Sequence, residues 1–319
     1  MAEANARRPD PALDPEFDLS TLMGRVRKMF QVTSMATLFT TDAELDDARA
    51  TLKSYRAGDK TVGAPAAYAA NAALAAVLHP DTGEKIFPVF RMSCQVPVNL
   101  VLFYAMMNAG TLPAIAFWQT VNQSFNVGVN YANRNASTSL TNAEIATTFG
   151  AAVVGSVGVS LGIRQIVLRA GALNPVTTAL IGFGGVASAH LINVTAMRGV
   201  EITDGVDVLD PADMSVVGQS GQAGRRGVGL TIFSRVSLAA AVMTIPPLVL
   251  KKLPLPPRAR LPVELGLIAG LIWGVMPFSL GAFPQMYEID ADSLEPEFHG
   301  RTSKATGRPL TTLVYNKGL

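Results

Sequence analysis

Long apolar stretches dominate the chain beyond its first hundred residues, each bounded by polar or turn-forming residues: about Pro97–Phe117, Ile145–Ile163, Val176–Met197, Val228–Leu250 and Val263–Phe283. Each approaches the roughly 20 residues that a helix needs to cross a hydrocarbon core. The pattern predicts an all-α, multi-span membrane protein with about five transmembrane helices. It sets off an N-terminal helical region, soluble or interfacial, over 1–96, a transmembrane domain over 97–283 and a C-terminal tail over 284–319.

Ahead of the spans the period changes. Thr41 and Glu44 fit a capping box, and Leu45, Ala48, Leu52 and Tyr55 recur on one helical face until Gly58 stops the helix. A second helix is expected from Pro65 through AAYAANAALAAVL to Pro80. It is short for a span, so it is expected in or against the membrane interface. His79–Ile86 (HPDTGEKI) is rich in turn formers. It reads either as a plain interfacial turn or as a fixed hinge or anion-binding turn at the membrane entrance.

Between the third and fourth spans lies a polar loop with Glu201, Asp204, Asp207, Asp210 and Asp213. Its VEITDGVDVLD segment predicts a small β-hairpin turning at Asp204-Gly205. These carboxylates lack the ligand spacing and closing Glu of an EF-hand, so calcium is not expected. Pro246-Pro247 is expected to break or kink the fourth span, and Pro277 to interrupt the fifth. Gly266, Gly270 and Gly274 lie four apart, a spacing that predicts close helix packing.

Composition sharpens the class. Charged residues are 16% of the 319, against about 25% in an average soluble domain. The net charge of +2 gives no sign of nucleic acid as a partner. Cys94 is the single cysteine, which excludes an intramolecular disulfide and argues against a thiolate-ligated metal. The opening MAEANARRPDPALDPEFD has neither a secretory apolar core nor an Arg-rich presequence pattern, so targeting information is expected to be internal. Arg164, Arg169, Lys251, Lys252, Arg258 and Arg260 fall on one side of the spans, with Arg134 and the acidic loop on the other. The positive-inside rule puts the N-terminus in the matrix or cytosol, and an odd number of spans puts the two termini on opposite sides.

Candidate chemistry gathers after the first span, in WQTVNQSFNVGVNYANRN, residues 118–135. Asparagine is a poor helix-interior residue, so this density asks for a reason. Amides supply donors and acceptors without net charge, which suits a polar, uncharged or zwitterionic solute. Asn122, Asn126, Asn130 and Asn133 recur near helical spacing and predict a partly helical, inward-facing wall. A wet connecting loop is the plainer alternative.

Arg235 lies within an apolar span, where a charge is costly and usually paired or functional; snorkelling to the surface is the alternative. His190 reads as a hydrogen-bonded interior residue, a proton relay or a metal ligand. Asn193 reads as an interhelical bond or a substrate contact, and Asn99 as either. These residues are the candidate substrate-binding set. No catalytic residue, metal or cofactor is expected, because no phosphate loop, nucleophile elbow or three-His set occurs.

Several motifs in order resemble the sideroflexins: HPDTGEKI, RMSCQVPVN, WQ..NQSFN..VNY.NRNA, FSR followed by IPP, FPQ and a terminal NKGL, covering Phe17 to Leu319. The resemblance implies a mitochondrial inner-membrane carrier of serine and related small neutral amino acids, supplying one-carbon metabolism. Its implied partners are that amino acid, membrane lipids with cardiolipin a candidate, and other inner-membrane proteins. Alternatives are a structural or assembly protein, or a carrier of another metabolite such as a tricarboxylate, the older family proposal; iron handling has also been associated with the family. His190 stands where relatives usually have Asn, and Thr195 and Ala241 where they often have Pro. These departures bear on the substrate more than on the fold.

Overall fold

The computed structural model describes residues 10–11, 15–79, 82–132 and 141–317. Backbone proximity divides the chain into two units, one of Met1–Asn99 with Phe125–Ser139, the other of Leu100–Ser124 with Leu140–Leu319.

The first unit holds α1 (Leu22–Val32), α2 (Asp42–Arg56) and α3 (Ala64–Val77). The capping box forms: Thr41 Oγ1 accepts from the Glu44 N–H, and the Glu44 carboxylate accepts from the Thr41 N–H. Leu45, Ala48, Leu52 and Tyr55 are the buried face of α2, as their spacing predicts. Ala48, Leu52 and Tyr55 pack with Ala67 and Ala70 of α3, whose small side chains let the two helices approach. In the segment after α3, Leu78 pairs with Lys85, and the His79 N–H donates to the Glu84 carbonyl at 2.8 Å. Pro80 and Asp81 of that turn lie outside the described residues.

The expected first span is two helices, α4 (Gln95–Met107) and α5 (Leu112–Ala132). The break falls at 108–111, a stretch that includes Gly110 and ends at Thr111, just ahead of Pro113. Pro113 sits in the first turn of α5, where its missing N–H costs nothing. The amide-rich segment is therefore helical as far as Ala132, and not a loop.

Four further long helices follow: α6 (Asn142–Arg169), α7 (Pro175–Met197), α9 (Gly221–Lys252) and α10 (Pro257–Gly281), with a short α8 (Gly199–Thr203) after α7. Among the described residues these four are the helices long and apolar enough to cross a membrane, rather than five. Four is an even number, so these helices alone do not supply the odd count expected for opposite termini. Pro246-Pro247 and Pro277 do not end their helices either; α9 runs on to Lys252 and α10 to Gly281. Each proline removes one backbone donor, a loss the rest of a long helix tolerates.

Close packing is concentrated between α6 and α7. A Cβ on Gly155 would stand 2.1 Å from Ile192 Cδ1, and one on Gly184 would stand 2.2 Å from Ile163 Cδ1. The three glycines of α10 are different. A Cβ on Gly266, Gly270 or Gly274 meets nothing within 4 Å, so their face is open and the expected contact is absent among the described residues.

The fold is not all-α. β1 (Val206–Leu209), β2 (Val216–Ser220), β3 (Met286–Asp290) and β4 (Thr312–Asn316) form an antiparallel sheet in the order β2-β1-β4-β3. β1 and β2 turn at Asp210–Ser215, where the Met214 N–H donates to Asp210 O, and not at Asp204-Gly205. Gly205 has φ +91 and carries the chain from α8 into β1, with the backbone of Ser220 2.7 Å from where a Cβ would stand. Sequence alternation could not reveal β3 and β4, because their partners lie far along the chain. Val208, Ile289, Leu313, Phe298 and Tyr315 form the core beneath this sheet. Since β1 pairs with β4, the acidic loop and the C-terminal tail lie on one side of the spans.

Candidate functional site

The site is built on α5, α6 and α7. Ile115, Gln119, Asn122 and Gln123 follow one another at helical spacing and are buried, Gln119 to 1%, Asn122 to 2% and Gln123 to 1% exposure. Three amides buried in an apolar bundle need partners, and they find only some. Gln119 Nε2 donates to Ser160 Oγ of α6 at 3.2 Å and to the Gly182 carbonyl of α7 at 3.1 Å. Ser160 Oγ donates in turn to the Ile181 carbonyl at 3.1 Å. Farther along the same face, Asn193 Nδ2 of α7 donates to Gln123 Oε1 at 3.1 Å. Gln119 Oε1, Asn122 Nδ2 and Gln123 Nε2 remain buried without a hydrogen-bond partner among the described residues. Each is an acceptor or donor that an uncharged polar solute would satisfy.

Gly185 makes the cluster possible. A Cβ there would stand 2.2 Å from Ser160 Oγ and 2.3 Å from Gln119 Nε2. Gly182, a turn earlier, is needed for the same reason, with the Met106 carbonyl 2.9 Å from its missing Cβ. Arg164 closes this end by donating from Nε to the Gly110 carbonyl at 2.9 Å, which gives the break between α4 and α5 a fixed partner.

His190 precedes Asn193 by one turn on α7 and lies within electrostatic reach of Arg235 on α9. Arg235 is fourteen residues (235 − 221) beyond the start of the 32-residue α9, nearer its middle than its end. Its side chain is partly buried and makes no hydrogen bond or ion pair among the described residues. One turn before it, Thr231 Oγ1 accepts from Arg198 Nη1 at 2.9 Å. Arg198 also binds Glu201 through Nε at 2.7 Å and donates from Nη2 to the Lys317 carbonyl. Lys317 is 6% exposed. Burial, reinforced by Arg198 and Arg235, holds its ammonium below the usual lysine range.

The candidate residues thus separate. Asn122 lies between Gln119 and Gln123 on the buried face of α5, and Asn193 meets Gln123. His190 is one turn from Asn193 on α7, and Arg235 stands on α9 with no hydrogen bond to the cluster among the described residues. Asn126 and Asn130 continue α5 in half-buried positions. Asn133 lies outside the described residues. Asn99 is spent locally, donating from Nδ2 to Gln95 O and Gln95 Oε1, both at 2.8 Å. Sequence reasoning passes over Gln119 and Gln123 as site residues, although both fit the spacing of the asparagines. Ser160, Arg198 and Lys317 give no local signal. Among the described residues no group of three His, Cys, Asp or Glu side chains could hold a metal ion.

Four membrane-length helices, two of which (α6 and α7) join α5 in holding a buried, uncharged polar cluster, define a multi-pass helical membrane protein. The chain belongs to the sideroflexin family, whose family model matches residues 12–319. It is 38% identical over 327 residues to Sideroflexin FSF1 of Saccharomyces cerevisiae, covering 98% of both chains. It is 40% identical over 321 residues to Sideroflexin fsf1 of Schizosaccharomyces pombe, covering 95% of this chain and 97% of that one. Human Sideroflexin-5 is 36% identical over 319 residues, 96% of this chain and 92% of the relative. No solved structure matches the chain.

Proposed function

We propose that this protein is a mitochondrial inner-membrane carrier of serine and related small neutral amino acids, supplying one-carbon metabolism. The observation that supports this most is the set of unpartnered amide atoms on Gln119, Asn122 and Gln123, buried inside a membrane-length bundle. A buried polar atom without a partner costs about 1–3 kcal/mol, and a solute that completes it recovers that cost on binding. The donors and acceptors are uncharged, and Arg235 adds a cation inside the membrane-length helix α9. That balance suits a zwitterion. A tricarboxylate needs several compensating cations along its path, and an unpaired buried charge costs several kcal/mol.

The carried amino acid, the surrounding lipid with cardiolipin a candidate, and neighbouring inner-membrane proteins are the partners of this reading. The open glycine face of α10 favours the alternative of a structural or assembly protein. Uptake by the purified protein in liposomes separates them. Saturable uptake of serine, with citrate excluded, is the expected result; Asn126→Ala and Asn130→Ala are expected to lower it while leaving abundance unchanged. Citrate uptake without serine uptake would sink the proposal, and uptake of neither would leave the assembly role.

Orientation follows from the shared sheet. The basic connections Lys251–Arg260 and Arg164–Arg169 lie at the ends of α9, α10, α6 and α7 away from that sheet. The positive-inside rule places them in the matrix and the C-terminal tail in the intermembrane space. Protease added to mitoplasts is expected to remove a C-terminal tag; a tag that survives would reverse the assignment.

A further inference from the structure

The two glutamines of α5 are bound by opposite ends of their amides. A main-chain carbonyl can only accept, so the end of Gln119 that meets the Gly182 carbonyl at 3.1 Å must be its NH2. Ser160 fixes the same direction: its hydroxyl donates to the Ile181 carbonyl at 3.1 Å, and its oxygen therefore receives Gln119 Nε2. Gln119 Oε1 is left over as an acceptor. Gln123 is held the other way round. Asn193 Nδ2 donates to its Oε1 at 3.1 Å, and Gln123 Nε2 is left over as a donor. Asn122, between them in the chain, leaves a second donor, Nδ2.

Gln119 and Gln123 are four residues apart (123 − 119) on one face of α5, a rise of about 6 Å. The buried face thus offers an acceptor at one level and two donors about one turn away. An α-amino acid carries the complementary pair. Its ammonium only donates and its carboxylate only accepts. A single carbon joins the two groups, and with a hydrogen bond of about 2.7–2.9 Å at each end they span one helical turn. Neutral amides can meet both ions without stranding a buried charge when the solute leaves.

We propose that Gln119 recognises the ammonium group of the carried amino acid through Oε1, while Asn122 Nδ2 and Gln123 Nε2 take its carboxylate. Ser160 and Asn193 are positioning residues that hold the two glutamines in opposite senses. The assignment rests on the carrier reading and narrows it to α-amino acids, whose donor and acceptor groups sit on one carbon.

The test uses the full-length protein in liposomes and three inhibitors of serine uptake: alanine, propionate, which is alanine without its ammonium, and ethylamine, which is alanine without its carboxylate. Alanine is expected to inhibit the wild type about tenfold better than either fragment, the effect of one hydrogen bond to a charged group. In Gln119→Met the advantage over propionate is expected to vanish while the advantage over ethylamine persists. In Gln123→Met the advantage over ethylamine is expected to fall while that over propionate persists. Ser160→Ala is expected to reduce the same ratio as Gln119→Met and to leave the other alone. A general loss of stability or rate cancels in these ratios, so a merely structural role would not produce the crossed pattern. Equal loss of both ratios in Gln119→Met, or no change in either, overturns the assignment. If the wild-type protein moves no serine, the carrier reading fails by itself, and the same ratios are read from the ligand concentrations that raise the melting temperature in detergent. The crossed pattern there keeps the assignment, and a wild type that does not prefer alanine to propionate refutes it.

Discussion

Arg235→Ala is expected to lower the initial rate of serine uptake at sub-saturating concentration by roughly tenfold to a hundredfold, from the ~1.5–3 kcal/mol of a hydrogen bond to a charged group. The sign of the accompanying stability change is the informative part. A partly buried guanidinium with no hydrogen bond or ion pair among the described residues destabilises the protein without solute, so its removal is expected to leave the melting temperature unchanged or raised. A residue serving the fold would behave oppositely and lose both together. Arg235→Lys keeps the charge but not the planar fork of donors, and is expected to fall between the two. Uptake within twofold of the wild type in Arg235→Ala would falsify the assignment of this residue to the solute path.

Gly185→Ala is expected to damage the fold and the site at once. The added methyl would stand 2.2 Å from Ser160 Oγ and 2.8 Å from Gln119 Cδ, inside any allowed contact. To make room, Gln119 must give up its bonds to Ser160 and to the Gly182 carbonyl. Overpacking costs about 1–3 kcal/mol and a stranded buried amide about 1–3 kcal/mol more. A lowered melting temperature in detergent and loss of serine uptake are the expected results. Ser160→Gly in the same chain removes the nearer obstacle and is expected to recover some of the stability. Gly158→Ala is the control, since a Cβ there meets nothing within 4 Å. Equal effects of the two glycine substitutions would mean that helix flexibility, and not the amide cluster, is what Gly185 provides.

Gly158 and Gly185 look alike along the chain, and so do the glycines of α10. Spacing identifies the face a residue belongs to, but not what stands opposite that face. The same holds for the asparagines of α5. Their period correctly implies a helix, yet Asn122 is buried while Asn126 and Asn130 are half-buried, because burial depends on which neighbours reach each turn of α5. Helix breaks are hard to place for a related reason. Pro246-Pro247 and Pro277 weigh heavily in a local reading, but a long packed helix absorbs a missing donor. The real interruption, at 108–111, carries no proline of its own and is held by Arg164 from α6.

What the sequence by itself determined is local and periodic. Four of the five expected apolar spans, the capping box at Thr41, the buried face of α2, the helical spacing of the amides and the cation within α9 are all legible in patterns along the chain. Only the tertiary structure decided the rest. The bonds that define the site join residues 41, 63, 70 and 119 positions apart, from Gln119 to Ser160 and Gly182, from Asn193 to Gln123 and from Arg198 to Lys317. No period along the chain encodes such separations. They arise when whole helix faces and a four-stranded sheet bury their apolar surface together, and the polar groups carried on those faces meet as a consequence.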